Sequence, residues 1–178
     1  FDSHSEWLGG FGLAPHALFT ASPQLFSDSS ELARRYQVPV TTHLAESNEE
    51  MLMFRQATGP LFGFLKSIGR QPDDCGAQTP LSLLLRNQAV DEHWIITHLN
   101  ELGEKDFDLL TRAKKFHVAH CPRSHTFFGH SHFELRKLQS LGFNVCLGTD
   151  SLASNSSLNL FAEMRELIRK EPGISPRE

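Results

Sequence analysis

The chain has 178 residues and a mass of 20.0 kDa, which suffices for one domain with a hydrophobic core or for part of a larger domain. A formal charge of -4 argues against nucleic acid or an anionic membrane as partner, and no apolar run approaches the ~20 residues of a membrane span. Three widely spaced cysteines exclude a disulfide framework and 39% hydrophobic residues exclude a disordered chain, so we expect a soluble, cytoplasmic globular protein.

Short apolar runs alternate with amphipathic segments along the chain. The first run covers residues 12–16, and a helix is predicted over residues 24–36. Ser22 is the predicted N-cap of this helix because Pro23 follows at the first helical position. The later apolar runs, each followed by a predicted helix, lie at residues 38–44, 94–99, 116–120 and 143–150.

The helix after the second run is predicted to begin at Ser47, since Glu50 stands three residues later, the spacing of a capping box. The remaining helices are predicted near residues 104–114, 133–141 and 158–170, with extra helical segments within 58–90. A loop is predicted between the run at 116–120 and the helix at 133–141. Cys146 lies in mid-strand, which predicts a place in the core.

Short apolar strands that alternate with helices are typical of parallel βαβ units with both faces of the sheet covered. The chain offers about five such units at the ~30 residues that each requires. That number could build an open doubly wound α/β sheet. A closed (β/α)8 barrel needs roughly 250 residues and could not be completed by this chain alone.

Polar residues stand where the apolar runs end. They are His16, His43, Glu46, His98, His120 and Asp150. Because the carboxyl ends of parallel strands meet at one rim, we expect these side chains to converge there. Burying several imidazoles and a carboxylate together is costly without a metal or a substrate. Imidazole and carboxylate ligands suit Zn²⁺ or Fe²⁺.

The order of these motifs resembles the amidohydrolase superfamily, in particular its cytosine deaminase, adenosine-analogue deaminase and chlorohydrolase branch. The motifs are HLAE at 43–46, HCPRS at 120–124 and LGTDSLASN at 147–155, of which the last is the most specific. The resemblance implies a distorted (β/α)8 TIM-type barrel of which about strands four to eight are present. Residues 1–178 would then form a single partial barrel domain, without the N-terminal strands and the small β-sandwich of the family.

The resemblance also implies catalytic and metal-binding roles. His43 and Asp150 would hold one divalent metal, Zn²⁺ or alternatively Fe²⁺. Glu46 would carry a proton to a ring nitrogen of the substrate and later to the departing ammonia. His98 would stabilise the developing oxyanion, and Asp150 would also accept a proton from the attacking water. Only two metal ligands are identified in this way, fewer than the three that a catalytic zinc site usually has.

Substrate contacts are implied at His16 and Ser151. The family also has a His-x-His pair after its first strand, but the chain's His-x-His sequence, His130 to His132, falls in the predicted loop and is expected to be solvated. His125 stands where relatives usually carry Asn, which sets this chain apart at a position tied to substrate recognition.

The sequence therefore predicts a metal-dependent hydrolase acting on C–N bonds, which deaminates a purine, pyrimidine or nucleoside-like ring with a metal-activated water. One alternative is a chlorohydrolase or ring-opening amidohydrolase with the same site. Another is a non-catalytic half-barrel that needs a partner chain. The expected ligand is a small heterocyclic molecule, and the oligomeric state, a homo-oligomer included, stays open.

Overall fold

The structure is a computed structural model that describes residues 10–88 and 90–175. Its centre is a four-stranded parallel sheet with strands β1 (Val40–Leu44), β2 (Trp94–His98), β3 (His117–His120) and β4 (Asn144–Leu147). The strands follow one another across the sheet in chain order, so each crossover steps in the same direction. A doubly wound sheet would instead reverse direction at a switch point. The predicted α/β class with a parallel sheet is confirmed.

The described residues contain eight helices, which connect and cover the strands. They are α1 (Pro23–Tyr36), α2 (Asn48–Gln56), α3 (Pro60–Ser67), α4 (Pro80–Asn87), α5 (Glu104–Arg112), α6 (Pro122–Phe128), α7 (Leu135–Ser140) and α8 (Leu160–Lys170). The predicted start of α1 is confirmed, because Ser22 Oγ accepts a hydrogen bond from the Leu25 N–H at 3.2 Å. None of these helices is long and apolar enough to cross a membrane.

The first predicted strand, at residues 12–16, is reduced to two isolated parallel bridges, from Leu13 to Val40 and from Ala17 to His43. The segment nevertheless runs beside β1, since the Thr41 N–H donates to the Leu13 carbonyl and the His43 N–H to the His16 carbonyl, both at 2.8 Å. The segment thus pairs with β1 at only a few positions, and this pairing fixes His16 next to the end of β1.

The predicted loop after β3 is wrong in its first half, where α6 forms. Pro122 occupies the first turn and Gly129 closes the helix in the left-handed conformation (φ 68°), with its N–H bonded to the His125 carbonyl at 3.1 Å. Cys121 gives no side-chain cap, and seven residues are too few for a clear helical periodicity. The helix places His125 directly behind the end of β3.

One face of the sheet packs on the helices and the other is half open. Buried and partly exposed residues alternate along β1 and β2, as in strands with a single covered face. The large side chains of the covered face include Val40, Leu44, Trp94, Ile96 and Val118. The prediction that Cys146 lies in the core is wrong, since Cys146 is exposed on the edge strand β4.

A fully buried carboxylate ties α8 to the elements around the rim. Glu163 is 0% exposed and accepts hydrogen bonds from the Arg123 N–H at 2.9 Å and from Asn155 Nδ2 at 2.6 Å. Arg123 lies in the first turn of α6, and Asn155 belongs to the loop that follows β4. The carboxylate thus joins three segments of the rim.

Glu163→Ala is expected to lower the free energy of unfolding by about 2–4 kcal/mol, because two part-buried donors, the Arg123 N–H and Asn155 Nδ2, lose their fully buried acceptor. Urea unfolding of the variant measures this loss. The matched control is Glu31→Ala on the exposed side of α1, which should stay within about 0.5 kcal/mol of the wild type. Equal stability of the two variants would show that these buried hydrogen bonds do not stabilise the fold.

Candidate active site

Three side chains meet at the carboxyl end of the sheet: His43 on β1, His98 at the end of β2 and Asp150 after β4. Each offers one donor atom, and the three atoms lie within 4.8 Å of one another. Adjacent strands are about 4.8 Å apart, so β1 and β4 would be separated by about 14 Å in a flat sheet. The curvature of the sheet and the length of the side chains therefore create the cluster. It contains one more donor than the two ligands inferred from the sequence.

The tautomer of His43 is set by the chain beside it. His43 Nδ1 lies 3.0 Å from the backbone carbonyl oxygen of His16. A carbonyl oxygen only accepts hydrogen bonds, so Nδ1 carries the proton and Nε2 of the neutral ring keeps its lone pair. This is the arrangement that a metal-binding histidine requires.

Asp150 is held by two buried hydroxyl groups. Its Oδ2 accepts hydrogen bonds from Ser124 Oγ at 2.5 Å and from Ser154 Oγ at 2.6 Å. Burial by itself would raise the pKa of Asp150, but these hydrogen bonds outweigh it and lower the pKa below its usual value of 3.8. The backbone of Asp150 is left-handed (φ 55°), a conformation that Asp tolerates better than most residues. Asp150 is therefore an oriented carboxylate at neutral pH.

Glu46 and His98 face each other at the same rim. Glu46 Oε1 lies 3.6 Å from His98 Nε2, slightly beyond hydrogen-bond distance, and this nitrogen is buried without a partner. Burial lowers the pKa of His98 to about 3, so its imidazole is neutral. Burial, and then the negative charge of Asp150, raises the pKa of Glu46. Glu46 can therefore hold a proton more readily than an exposed glutamate.

The two residues implied in substrate binding lie beside this cluster. The ring of His16 is 4.8 Å from that of His43, and its Nδ1 pairs with Thr20 Oγ1 at 2.7 Å. Ser151 follows Asp150 and is exposed, but its hydroxyl already accepts a hydrogen bond from the Ala153 N–H at 3.2 Å. The structure places both residues near the cluster, and their roles stay predictions.

A second group of imidazoles comprises His120 at the end of β3, His125 and His130, whose rings follow one another in contact. His120 stacks on Phe133, with ring centres 3.8 Å apart, and burial lowers its pKa to about 3. His125 donates from Nε2 to the Ser131 carbonyl at 2.7 Å. The prediction of a solvated His-x-His loop is wrong for His130, whose side chain is 10% exposed beside Glu101. Glu101 lies in a segment distant in the sequence, so no local signal could have shown this burial.

The capping box predicted for α2 is incomplete. Ser47 Oγ accepts from the Glu50 N–H at 3.3 Å, which confirms the N-cap. The carboxylate of Glu50 does not return the bond to Ser47, because its Oε2 accepts from the Glu46 N–H at 2.8 Å. Glu50 therefore binds the residue that faces His98, a contact that the capping-box spacing did not predict.

Comparison with known proteins places the chain in a family. Residues 2–178 match the sequence profile of the amidohydrolase family. The chain belongs to the amidohydrolase family. The resemblance inferred from the motifs is thereby confirmed.

Two curated relatives of this amidohydrolase chain are named 5-methylthioadenosine/S-adenosylhomocysteine deaminase. The protein from Pyrococcus furiosus is 35% identical over 171 residues, which are 95% of this chain and 36% of that protein. The protein from Halalkalibacterium halodurans is 32% identical over 173 residues, which are 92% of this chain and 34% of that protein. The chain thus spans about a third of the length of these relatives.

A solved relative has a similar fold. It is an adenosine deaminase from Xanthomonas campestris with bound zinc, with a TM-score of 0.69 and 27% identity. The match covers 89% of this chain and 32% of that protein. The sheet and helices described above therefore correspond to a part of a larger solved structure.

Glu50 predicts how the stability of this amidohydrolase chain depends on pH. Its side chain is buried, and burial raises its pKa from 4.5 to about 7. Between these two values the folded state keeps a proton that the unfolded chain has released, so stability falls as the pH rises through this window. The loss is at most about 3 kcal/mol, the free-energy equivalent of such a pKa difference.

Urea unfolding at several pH values between 4.5 and about 7 measures this loss, with Glu50→Gln as the comparison. The amide does not titrate, so the difference in stability between the two proteins should change steadily with pH. Parallel curves for the two proteins would show that burial does not shift the pKa of Glu50.

Proposed function

We propose that the protein containing this chain is a metal-dependent hydrolase that deaminates a nucleoside-like heterocycle. The observation that carries the proposal is the meeting of His43, His98 and Asp150 within 4.8 Å, with Glu46 beside His98. The names of the relatives favour an adenosine-type base as the substrate. Water would replace the amino group on a ring carbon, giving a carbonyl group and ammonia.

The donor set fits one divalent metal ion, with zinc favoured over iron. His43 would bind it through Nε2, which its neighbour His16 leaves unprotonated, and Asp150 would bind it as a carboxylate. The zinc bound by the adenosine deaminase from Xanthomonas campestris supports the same metal here. When bound, the metal would act as a Lewis acid that lowers the pKa of water to about 7.

The proton transfers are assigned to the two carboxyl groups of the site. Asp150, whose hydrogen bonds favour the ionised form, accepts a proton from the attacking water. Glu46 delivers its proton to the ring nitrogen next to the reacting carbon, takes up the proton that the added hydroxyl group loses as the carbonyl forms, and passes it to the leaving ammonia. The proton held by Asp150 then returns Glu46 to its starting state. His98 is neutral and donates a hydrogen bond to the oxygen that has been added to the ring. Each residue thus acts in the protonation state that its surroundings favour.

The sheet, together with the segment at residues 12–16 beside β1, is proposed to be part of a (β/α)8 barrel, corresponding to its strands four to eight. The strands run in sequential parallel order, and the sheet curves enough to bring groups from β1 and β4 together. The similarity to the adenosine deaminase, of which this chain covers 32%, supports the same assignment. Residues 1–178 are then a partial barrel domain.

Glu46→Gln is expected to reduce turnover by roughly 10²–10⁴-fold, because the amide cannot transfer the protons. Ammonia release from adenosine, 5-methylthioadenosine, cytosine and S-adenosylhomocysteine would be measured in the protein that contains this chain. Glu49→Gln, at an exposed position in the first turn of α2, is the matched control and should keep normal turnover.

The same assay separates the alternatives. Release of chloride from a chlorinated triazine without release of ammonia would favour a chlorohydrolase. If Glu46→Gln releases ammonia or chloride as fast as the wild type, Glu46 does not have the proposed role. A protein that binds zinc but converts no compound of the panel would contradict the proposed reaction.

The hydroxyl groups on Asp150 predict a change in metal affinity. Removing both, in a Ser124→Ala and Ser154→Ala double variant, should weaken zinc binding by about 10–100-fold, because the carboxylate loses the groups that orient it. Competition with a chromophoric chelator measures the affinity. Ser140→Ala is the control, since that exposed hydroxyl donates only to the Lys137 carbonyl. Equal affinity in the double variant and the control would contradict the assigned role.

A further inference from the structure

The backbone of Glu46 is held from two sides by buried side chains. Its N–H donates to Glu50 Oε2 at 2.8 Å, and its carbonyl accepts from Asn100 Nδ2 at 3.1 Å. Glu50 lies on α2 and Asn100 lies just after β2, so the two contacts come from different elements. The exposed fractions are 1% for Glu50 and 4% for Asn100.

Each of these side chains also keeps one buried atom without a partner. Among the described residues, Glu50 Oε1 and Asn100 Oδ1 are both buried and make no hydrogen bond. An unpaired buried polar atom costs free energy that an apolar side chain of similar size would avoid. Packing alone therefore does not explain a glutamate and an asparagine at these positions. The atoms that do have partners both bind Glu46.

The backbone near Glu46 also needs an external restraint. Ala45 and Leu99 adopt left-handed conformations, with φ of 49° and 53°, although neither is glycine. Backbone hydrogen bonds already cross between these turns, from the Leu99 N–H to the Leu44 carbonyl at 3.0 Å. The side chains of Glu50 and Asn100 add hydrogen bonds to the backbone of the next residue, Glu46.

We propose that Glu50 and Asn100 are positioning residues, which fix the backbone of Glu46 so that its carboxyl group stays beside His98. This inference rests on the proposed function, in which Glu46 transfers protons. The two side chains do not touch the cluster of His43, His98 and Asp150 through any hydrogen bond of the described residues. Burial raises the pKa of Glu50 to about 7, so the residue often carries a proton, which limits its repulsion of Glu46.

Two variants of Glu50 separate positioning from a purely structural role. Glu50→Leu keeps much of the volume and removes the acceptor, so kcat is expected to fall about 10–100-fold through misplacement of Glu46. The zinc content and KM should stay near those of the wild type. Glu50→Gln retains an acceptor oxygen and should restore kcat to within about threefold. The exposed Glu49→Leu variant is the control and should keep normal kcat.

Asn100→Leu provides the second test and is decisive where Glu50→Leu does not fold. It removes the donor to the Glu46 carbonyl and should lower kcat in the same way. Normal kcat in the leucine variants would overturn the proposal. So would a parallel loss of kcat, zinc and stability in both leucine variants, since that pattern indicates a structural role.

Crystal structures of the wild type, Glu50→Leu and Glu50→Gln distinguish a failure of this inference from a failure of the proposed function. A wild-type protein without hydrolase activity would contradict the proposed function. The positions of the Glu46 carboxyl group in the three structures would still test the inference. That group should keep its place in Glu50→Gln and move by about 1 Å or more in Glu50→Leu, the scale of displacement that affects catalysis. An unmoved carboxyl group in Glu50→Leu would overturn the inference.

Discussion

Asp150 and Glu46 belong to one site, but their surroundings favour opposite protonation states. Two buried serine hydroxyls donate to Asp150 and lower its pKa, whereas burial and the charge of Asp150 raise the pKa of Glu46. Displacing the pKa values of two carboxyl groups in opposite directions is the usual way to obtain a base and an acid at one pH. The proposed chemistry depends on this difference, because one group has to accept a proton and the other has to deliver it.

The shape of the sheet makes this arrangement possible. All four strands point the same way and each crossover advances by one position, so the carboxyl ends collect at a single rim. Several residues at that rim have left-handed backbone conformations, among them Ala45, His98 and Asp150. Such conformations cost free energy and persist only when neighbouring contacts hold them. Here the contacts include the serines on Asp150 and the Glu50 and Asn100 side chains on Glu46.

The relatives give this geometry a chemical context. Two curated relatives at 32% and 35% identity are named as deaminases of adenosine derivatives, and the solved relative at 27% identity is an adenosine deaminase with bound zinc. His125, where the resemblance leads us to expect Asn, lies on the unpredicted helix α6 and bonds to the Ser131 carbonyl. The region behind β3 is therefore where a difference in substrate recognition would be sought.

Local sequence determined the elements whose signals act over a few residues. Neighbouring residues alone indicate the cap at Ser22, the apolar strand runs and the polar residues at their ends. The motifs at the ends of β1 and β3 and after β4 indicated the family. Only the tertiary structure decided that Ser154 and Ser124 bind Asp150, that Glu101 buries His130 and that Glu50 binds Glu46 instead of closing the capping box. The contacts of Ser124 with Asp150 and of Glu101 with His130 join segments far apart in the chain. The contacts of Ser154 with Asp150 and of Glu50 with Glu46 span four residues but depend on how the turns after β4 and β1 are held, so no spacing rule encodes them.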